Sequence, residues 1–331
     1  MFGMDVDARD ILEGLKGRDT EGGSEGWSYQ KQKDSLEAFN MDILICDNVD
    51  AIFAKYRPGT FLPALCHVFM DTDAPLEVLE SAARAITYFL EVHVDSTARK
   101  VVEVSGAVKA FCKALVIFPS NDNVDPDSAR VSREIAEQAI KVLELLCRRE
   151  AKSVFDADGL ECLLTFVKAN ASSMHKDTLH SSLSVASMLC GRLQPEHPSL
   201  PSCIMSLTAF LEHKDTVIID HALESLGLIT DILKRSNADL GQLNVGGLIP
   251  GLLRLLSRAL NEELENKEWE GHVRVARLLV RLCRGCEVLA KEMLLQGALE
   301  AVESVLSRCE APDGVAAALR LVDTLVILVW Q

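Results

Sequence analysis

A chain of 331 residues, 48% hydrophobic but only 5% aromatic, can bury a sizeable core; its apolar positions are mostly Leu, Val, Ala and Ile, which suits helix-on-helix packing better than a β-sandwich. The formal net charge of −15 argues against nucleic acid as a partner, because phosphate binding rests on Lys and Arg. The acidic amino terminus MFGMDVDARDILEG lacks an apolar stretch of signal-peptide length, so a cytoplasmic or nuclear setting is expected. Ten cysteines, spread singly through apolar runs, then read as reduced core residues.

In chain order, VDARDILEGLK (6–16) suits a short helix, and the Gly-rich RDTEGGSEGWSY (18–29) reads as a flexible acidic loop. Residues 1–30 are therefore expected to stand apart from an array over 31–331. From Gln30 onward, apolar residues recur at 3.6-type spacing, as in LEVLESAARAITYFL (76–90), SREIAEQAIKVLELLC (132–147), VIIDHALESLGLITDIL (217–233) and HVRVARLLVRLC (272–283). Pro63 and Pro250 are expected where helices begin. The segment Val315 to Trp330 is the most apolar, but Arg320 and Asp323 interrupt it and it is short for a membrane span, so a packed helix is expected.

Two landmarks repeat. Leu146-Cys147, Leu189-Cys190 and Leu282-Cys283 are each expected to end a helix, with Cys spacings of 43 and 93. Gly106, Gly159, Gly247 and Gly297 each open an apolar helix, at spacings of 53, 88 and 50. A unit in the forties with two or three helices is the armadillo/HEAT range, so the expected fold is an all-α, right-handed helical-repeat solenoid of about six units. The tetrapeptide HKDT occurs at 175–178 and again at 213–216, each time between two helices of a unit. Its Asp or Thr is expected to cap the next helix, and a metal or catalytic role is not.

No motif for nucleotide binding, nucleophilic catalysis or zinc hydrolysis is present, and no cofactor, metal ion or catalytic residue is expected. Cys283-x-x-Cys286, with His272 eleven residues earlier, is the nearest approach to a zinc cluster, and it lacks a second pair. Arg274, Arg277, Arg281 and Arg284, spaced 3, 4 and 3, share one helical face opposite Val275, Leu278, Leu279 and Leu282. Such a stripe can receive an acidic partner segment, or it can be neutralised by Glu262, Glu263, Glu265, Glu268 and Glu270 of the same chain.

Seven collinear stretches resemble the amino-terminal region of a family of HECT-type ubiquitin-protein ligases. They are CDNVDAIFAKYRPGTFLPALCHVF (46–69), LEVLESAARAITYFLEV (76–92), VSGAVKAFCKAL (104–115), EQAIKVLELLCRRE (137–150), GLECLLTFV (159–167), HKDTLHSSLSVASMLCGRL (175–193) and LRLVDTLVIL (319–328). The resemblance implies an armadillo-like array followed by ankyrin repeats, further modules and a carboxy-terminal HECT domain that carries the ubiquitin thioester. Nothing matching that domain stands here, so the expected role is a non-catalytic scaffold that holds protein substrates or adaptors. A free-standing armadillo adaptor is the alternative. The apolar run Leu325 to Trp330 adds the expectation that further modules pack on the last helix.

Overall fold

The computed structural model describes residues 6–16, 29–117, 125–171, 174–260, 269, 271–284, 286–309 and 312–329. The expected loop at 18–29, the connection FPSNDNV (118–124) and the glutamates 262, 263, 265, 268 and 270 fall outside these residues, apart from Tyr29. Helices and one 3-10 turn make up the regular structure of the described residues, with no strand among them. They group into two compact units, 1–170 and 171–331.

The first unit contains α1 (Val6–Leu15), α2 (Tyr29–Ile45), α3 (Val49–Lys55), α4 (Pro58–Met70), α5 (Leu76–Val102), α6 (Ala107–Ile117), α7 (Pro126–Asp156) and α8 (Gly159–Asn170). Helices α2, α5 and α7 stack side by side in one layer, and α1, α4, α6 and α8 form a second layer against it. Helices α5 and α7 pack extensively, and small side chains permit close approach: Ala82, Ala83 and Ala85 of α5 and Ala136 and Ala139 of α7 are all fully buried. Phe39, Tyr56, Phe61 and Phe89 fill the space between α2, α4 and α5, with Phe39 edge-on to Tyr56 at 4.7 Å. Helix α1 buries Ala8, Leu12 and Leu15 and packs on α2 and α4, so it shares the core of this unit.

Two long helical runs of this unit, α5 and α7, are each interrupted by one residue of non-helical backbone. In α7 the helix expected to end at Leu146-Cys147 is broken three residues later, at Glu150 (φ −123, ψ 38), and a second helix runs from there to Asp156. Helix α5 bends likewise at His93 (φ −143, ψ 61), where the hydroxyl of buried Thr97 donates to the His93 carbonyl at 2.6 Å. That bond satisfies a backbone acceptor next to the bend. Arg149 pairs with Asp95, joining the residues beside the two bends. The segments on the two sides of each bend are separate helices, the last of one repeat and the first of the next, which meet without an intervening loop. Pro63 also departs from expectation: α4 starts at Pro58, so Pro63 sits inside the helix and deprives it of one backbone donor. Pro250 stands in the first turn of its helix, where no such bond is lost.

The second unit contains α9 (Lys176–Cys190), α10 (Leu200–Phe210), α11 (Thr216–Arg235), a 3-10 turn (Leu240–Leu243), α12 (Leu248–Leu260), α13 (Gly271–Cys283), α14 (Glu287–Leu295), α15 (Ala298–Arg308) and α16 (Pro312–Val329). Helices α9, α11, α13 and α16 stack in one layer, and α10, α12 and α15 in a second. The 3-10 turn and α14 serve as the short first helices of their repeats. Val273 and Ala276 of α13 meet Ala317 of α16 in a buried apolar contact.

The glycine landmarks have a conformational cause. Gly106, Gly247 and Gly297 hold φ of +89°, +72° and +86°, a left-handed turn that reverses the chain into the next helix and that other residues adopt only with strain. At the fourth landmark Asp158 takes the left-handed turn (φ +64°), and Gly159 is the first residue of α8, where an added Cβ would lie 2.6 Å from the Val154 carbonyl oxygen.

The two HKDT copies differ by two residues in their register to the following helix. His175 is itself the N-cap of α9 and accepts from the Asp177 amide, whereas Asp215 caps α11 and accepts from the Val217 amide at 2.9 Å. Capping therefore falls to His in the first copy and to Asp in the second, correcting the expectation of Asp or Thr for both. The caps are 40 residues apart, which is the repeat length here. The copies also touch: Lys176 approaches Asp215 at 3.8 Å, and His180 meets the same carboxylate at 3.0 Å. Burial pushes the Asp215 carboxyl up, but its bonds to His180 and to the Val217 amide, with Lys176 nearby, outweigh this and hold it below the ordinary carboxylate range.

Candidate functional site

The amphipathic pattern of α13 orients the arginines. Val275, Leu278, Leu279 and Leu282 are buried, and Arg274, Arg277, Arg281 and Arg284 are exposed on the solvent side of the α9/α11/α13/α16 layer. A hydrophobic stripe on one side of a helix leaves the other side in water, so the periodicity alone dictates this placement.

The arginines alternate in what they touch. Arg274 pairs with Asp220 of α11 at 3.0 Å, and Arg281 with Asp231 of the same helix at 3.3 Å. Arg277 and Arg284 enter no ion pair among the described residues. The partners seen in the structure thus come from the neighbouring repeat. At the end of the stripe Lys234 donates to the Arg281 carbonyl. Partial burial holds the Lys234 ammonium below its ordinary range, and the positive charges of Arg281 and Arg284 push it further against the pull of Asp231. Among the described residues, this end of the layer carries more positive charge than its ion-pair partners neutralise.

Three residues that the sequence pattern does not single out complete the surface. Trp269 donates its indole N–H to Asp220 at 2.9 Å, so Asp220 holds both Trp269 and Arg274. The Trp269 ring lies against Gly271, where an added Cβ would fall 2.0 Å from ring carbons. Gly227, in the middle of α11, leaves room for Arg281 to cross the helix towards Asp231; an added Cβ there would sit 2.9 Å from the guanidinium. A glycine inside an otherwise regular helical pattern is the signal that marks such a crossing, since it costs helix stability without a packing reason.

His272 is not brought to Cys283 and Cys286. It meets Cys309 at 3.3 Å, while the Cys283 thiol donates to the Met293 sulfur at 3.0 Å. No group of three or more metal-ligating side chains is formed among the described residues. Burial pushes the thiols of Cys66 and Cys283 up to about 12, which keeps them protonated at neutral pH. No helix among the described residues is long and apolar enough to cross a membrane.

These features define an all-α, armadillo-type helical-repeat protein with a basic stripe on its helix-lined face. Two solved structures share the fold. One is an engineered protein (TM-score 0.53, 16% identity, covering 81% of this chain and 97% of that one). The other is a computationally designed armadillo repeat protein for modular peptide recognition (TM-score 0.56, 14% identity, 80% and 99% covered). No protein-family profile matches the chain. Among curated proteins, it is 42% identical over 252 residues to the E3 ubiquitin-protein ligase Ufd4 of Drosophila melanogaster, which covers 76% of this chain and 9% of that protein. It is 36% identical over 304 residues to the E3 ubiquitin-protein ligase hecd-1 of Caenorhabditis elegans, covering 90% of this chain and 11% of that protein. The chain thus spans roughly a tenth of the length of these relatives.

Proposed function

We propose that this chain is a protein-binding scaffold segment of a HECT-type ubiquitin ligase, which holds substrates or adaptors while ubiquitin transfer takes place elsewhere in the polypeptide. Similarity to ubiquitin-protein ligases over most of the chain supports the setting, as do the HECT-family stretches in the sequence. The armadillo-type fold supports the mode, because a designed relative of that fold is built for peptide recognition. The observation that carries the site is the exposed pair Arg277 and Arg284, uncompensated among the described residues and next to Lys234, whose ammonium is held below its ordinary range by burial first and by Arg281 and Arg284 after it. An acidic segment lying along α13 supplies the missing counter-charge, and guanidinium groups can hold its carboxylates in two-pronged contacts.

The test is the double variant Arg277→Glu/Arg284→Glu. Because both side chains face solvent, its stability should change by about 0.5 kcal/mol or less per site. Recovery of ligase substrates and adaptors should fall about tenfold or more, and the same proteins should be lost from the wild type as salt rises. Unchanged recovery by a folded variant removes the stripe from the binding surface.

A further inference from the structure

A second surface lies in the first unit, far along the sequence from the arginine stripe. The end of α4, the start of α5, α6 and the first turns of α7 enclose a groove of about 370 Å³. Its floor is apolar: Phe69, Leu79, Ala110, Ala114 and Ile135 line it. The alanines are the reason the groove exists, since Ala110 and Ala114 stand one turn apart on α6 and leave unfilled the space that larger side chains would take. At the low end of the range for ligand clefts, the volume admits roughly two large apolar side chains but not a folded element.

The rim carries two cations at one end and one carboxylate at the other. Lys109 and Lys113 line the groove, are exposed, and sit one helical turn apart on α6. Neither enters an ion pair among the described residues. The carboxylate at the opposite end, Asp71, is already engaged: it accepts from the Tyr29 hydroxyl at 3.3 Å and from the Asp73 amide at 3.0 Å. An apolar floor beside two lysines that form no ion pair among the described residues favours an occupant that is apolar at its centre and acidic at its flank.

We propose that this groove is a second docking site, which takes a short segment of a partner protein with two apolar side chains and adjoining Asp or Glu residues. The apolar pair enters between α6 and α7, and the acidic flank lies across Lys109 and Lys113. The site is separate in sequence from the arginine stripe and does not depend on it.

A random twelve-residue peptide library selected against the whole chain tests this. Peptides with two apolar residues within four positions and an acidic flank should be enriched. Their affinity should drop about tenfold or more in Lys109→Glu/Lys113→Glu, whose changes are on the surface, and likewise in Ala114→Phe, which fills the groove. Arg277→Glu/Arg284→Glu should bind them as the wild type does, so a failed stripe and a failed groove give different results. Enrichment of no such peptide, or of peptides that bind folded groove variants unchanged, overturns the proposal. Displacement of the enriched peptides by laurate, with laurate binding lost in Ala114→Phe, would reassign the groove to an acyl chain and overturn it as well.

Discussion

Replacing Gly227 by Ala weighs two effects of similar size against each other. Glycine inside a helix costs about 0.8 to 1.0 kcal/mol relative to alanine, and Gly227 stands in the middle of the twenty-residue α11. Against this gain, the new Cβ comes within 2.9 Å of the Arg281 guanidinium, closer than a relaxed contact. The atom that must move is the tip of a side chain that is 47% exposed, so rotation of its last torsions relieves the clash. What is then lost is the pair with Asp231, itself 43% exposed, and such solvent-screened pairs contribute about 0.2 to 1 kcal/mol. The expected net effect of Gly227→Ala is a stabilisation of roughly 0.5 kcal/mol, or about 1 to 2 °C in Tm. In an Arg281→Ala background nothing stands in the way, and the full gain of about 1 kcal/mol should appear. Urea titration of the four proteins of this cycle measures both numbers. A loss of more than about 1 kcal/mol in Gly227→Ala, or no larger gain when Arg281 is absent, would show that Arg281 is not held in the way the contact implies.

His221 and Asp215 link stability to pH in separate windows. Burial holds the His221 imidazole below its ordinary range, with His180 acting in the same direction and Glu224 and Asp220 opposing it, and the His221 Nδ1 has no hydrogen-bond partner among the described residues. Below an unfolded value of about 6.5 the unfolded chain binds a proton that the folded chain resists, so stability falls as pH drops from 7.5 to 5.5. Urea midpoints of His221→Gln should show a shallower fall over that window; an unchanged slope rejects the assignment. Asp215→Ala removes the α11 cap and the His180 contact and should cost about 2 kcal/mol at pH 7. Since the folded carboxyl titrates below the unfolded one, this contribution is present above about pH 4 and is lost as pH falls through the folded value; a destabilisation that persists unchanged at pH 2.5 in a still-folded protein would contradict it.

How much of this was legible in the sequence depended on whether a feature is local. The glycine turns were readable because a left-handed residue has a strong side-chain preference, and three of the four positions show that geometry. The orientation of the arginine stripe was readable because one helix's apolar face dictates its polar face. The break in α7 was readable to within a few residues, because Leu146-Cys147 stands just before Glu150, whereas the break in α5 at His93 was not, since neither a proline nor a glycine marks it. The ion-pair partners of the stripe were also beyond reach. Asp220 and Asp231 lie 54 and 50 residues from the arginines they meet, and only packing of α11 beside α13 makes them neighbours. The HKDT caps fall between these cases: the repeat offset was visible as a number, but which atom reaches the free amides depends on a register of two residues.

The bends at His93 and Glu150 have a mechanical consequence. Repeats joined by loops can tilt through many soft torsions, whereas here two helices of successive repeats meet directly and compliance is concentrated at a single residue per joint. A pull along the chain would load these residues first, and the Arg149–Asp95 pair, which ties one joint to the other, would act as a brace resisting their independent opening. The elasticity of the first unit should therefore be stepwise, with each bend behaving as a latch instead of a uniformly stretching spring.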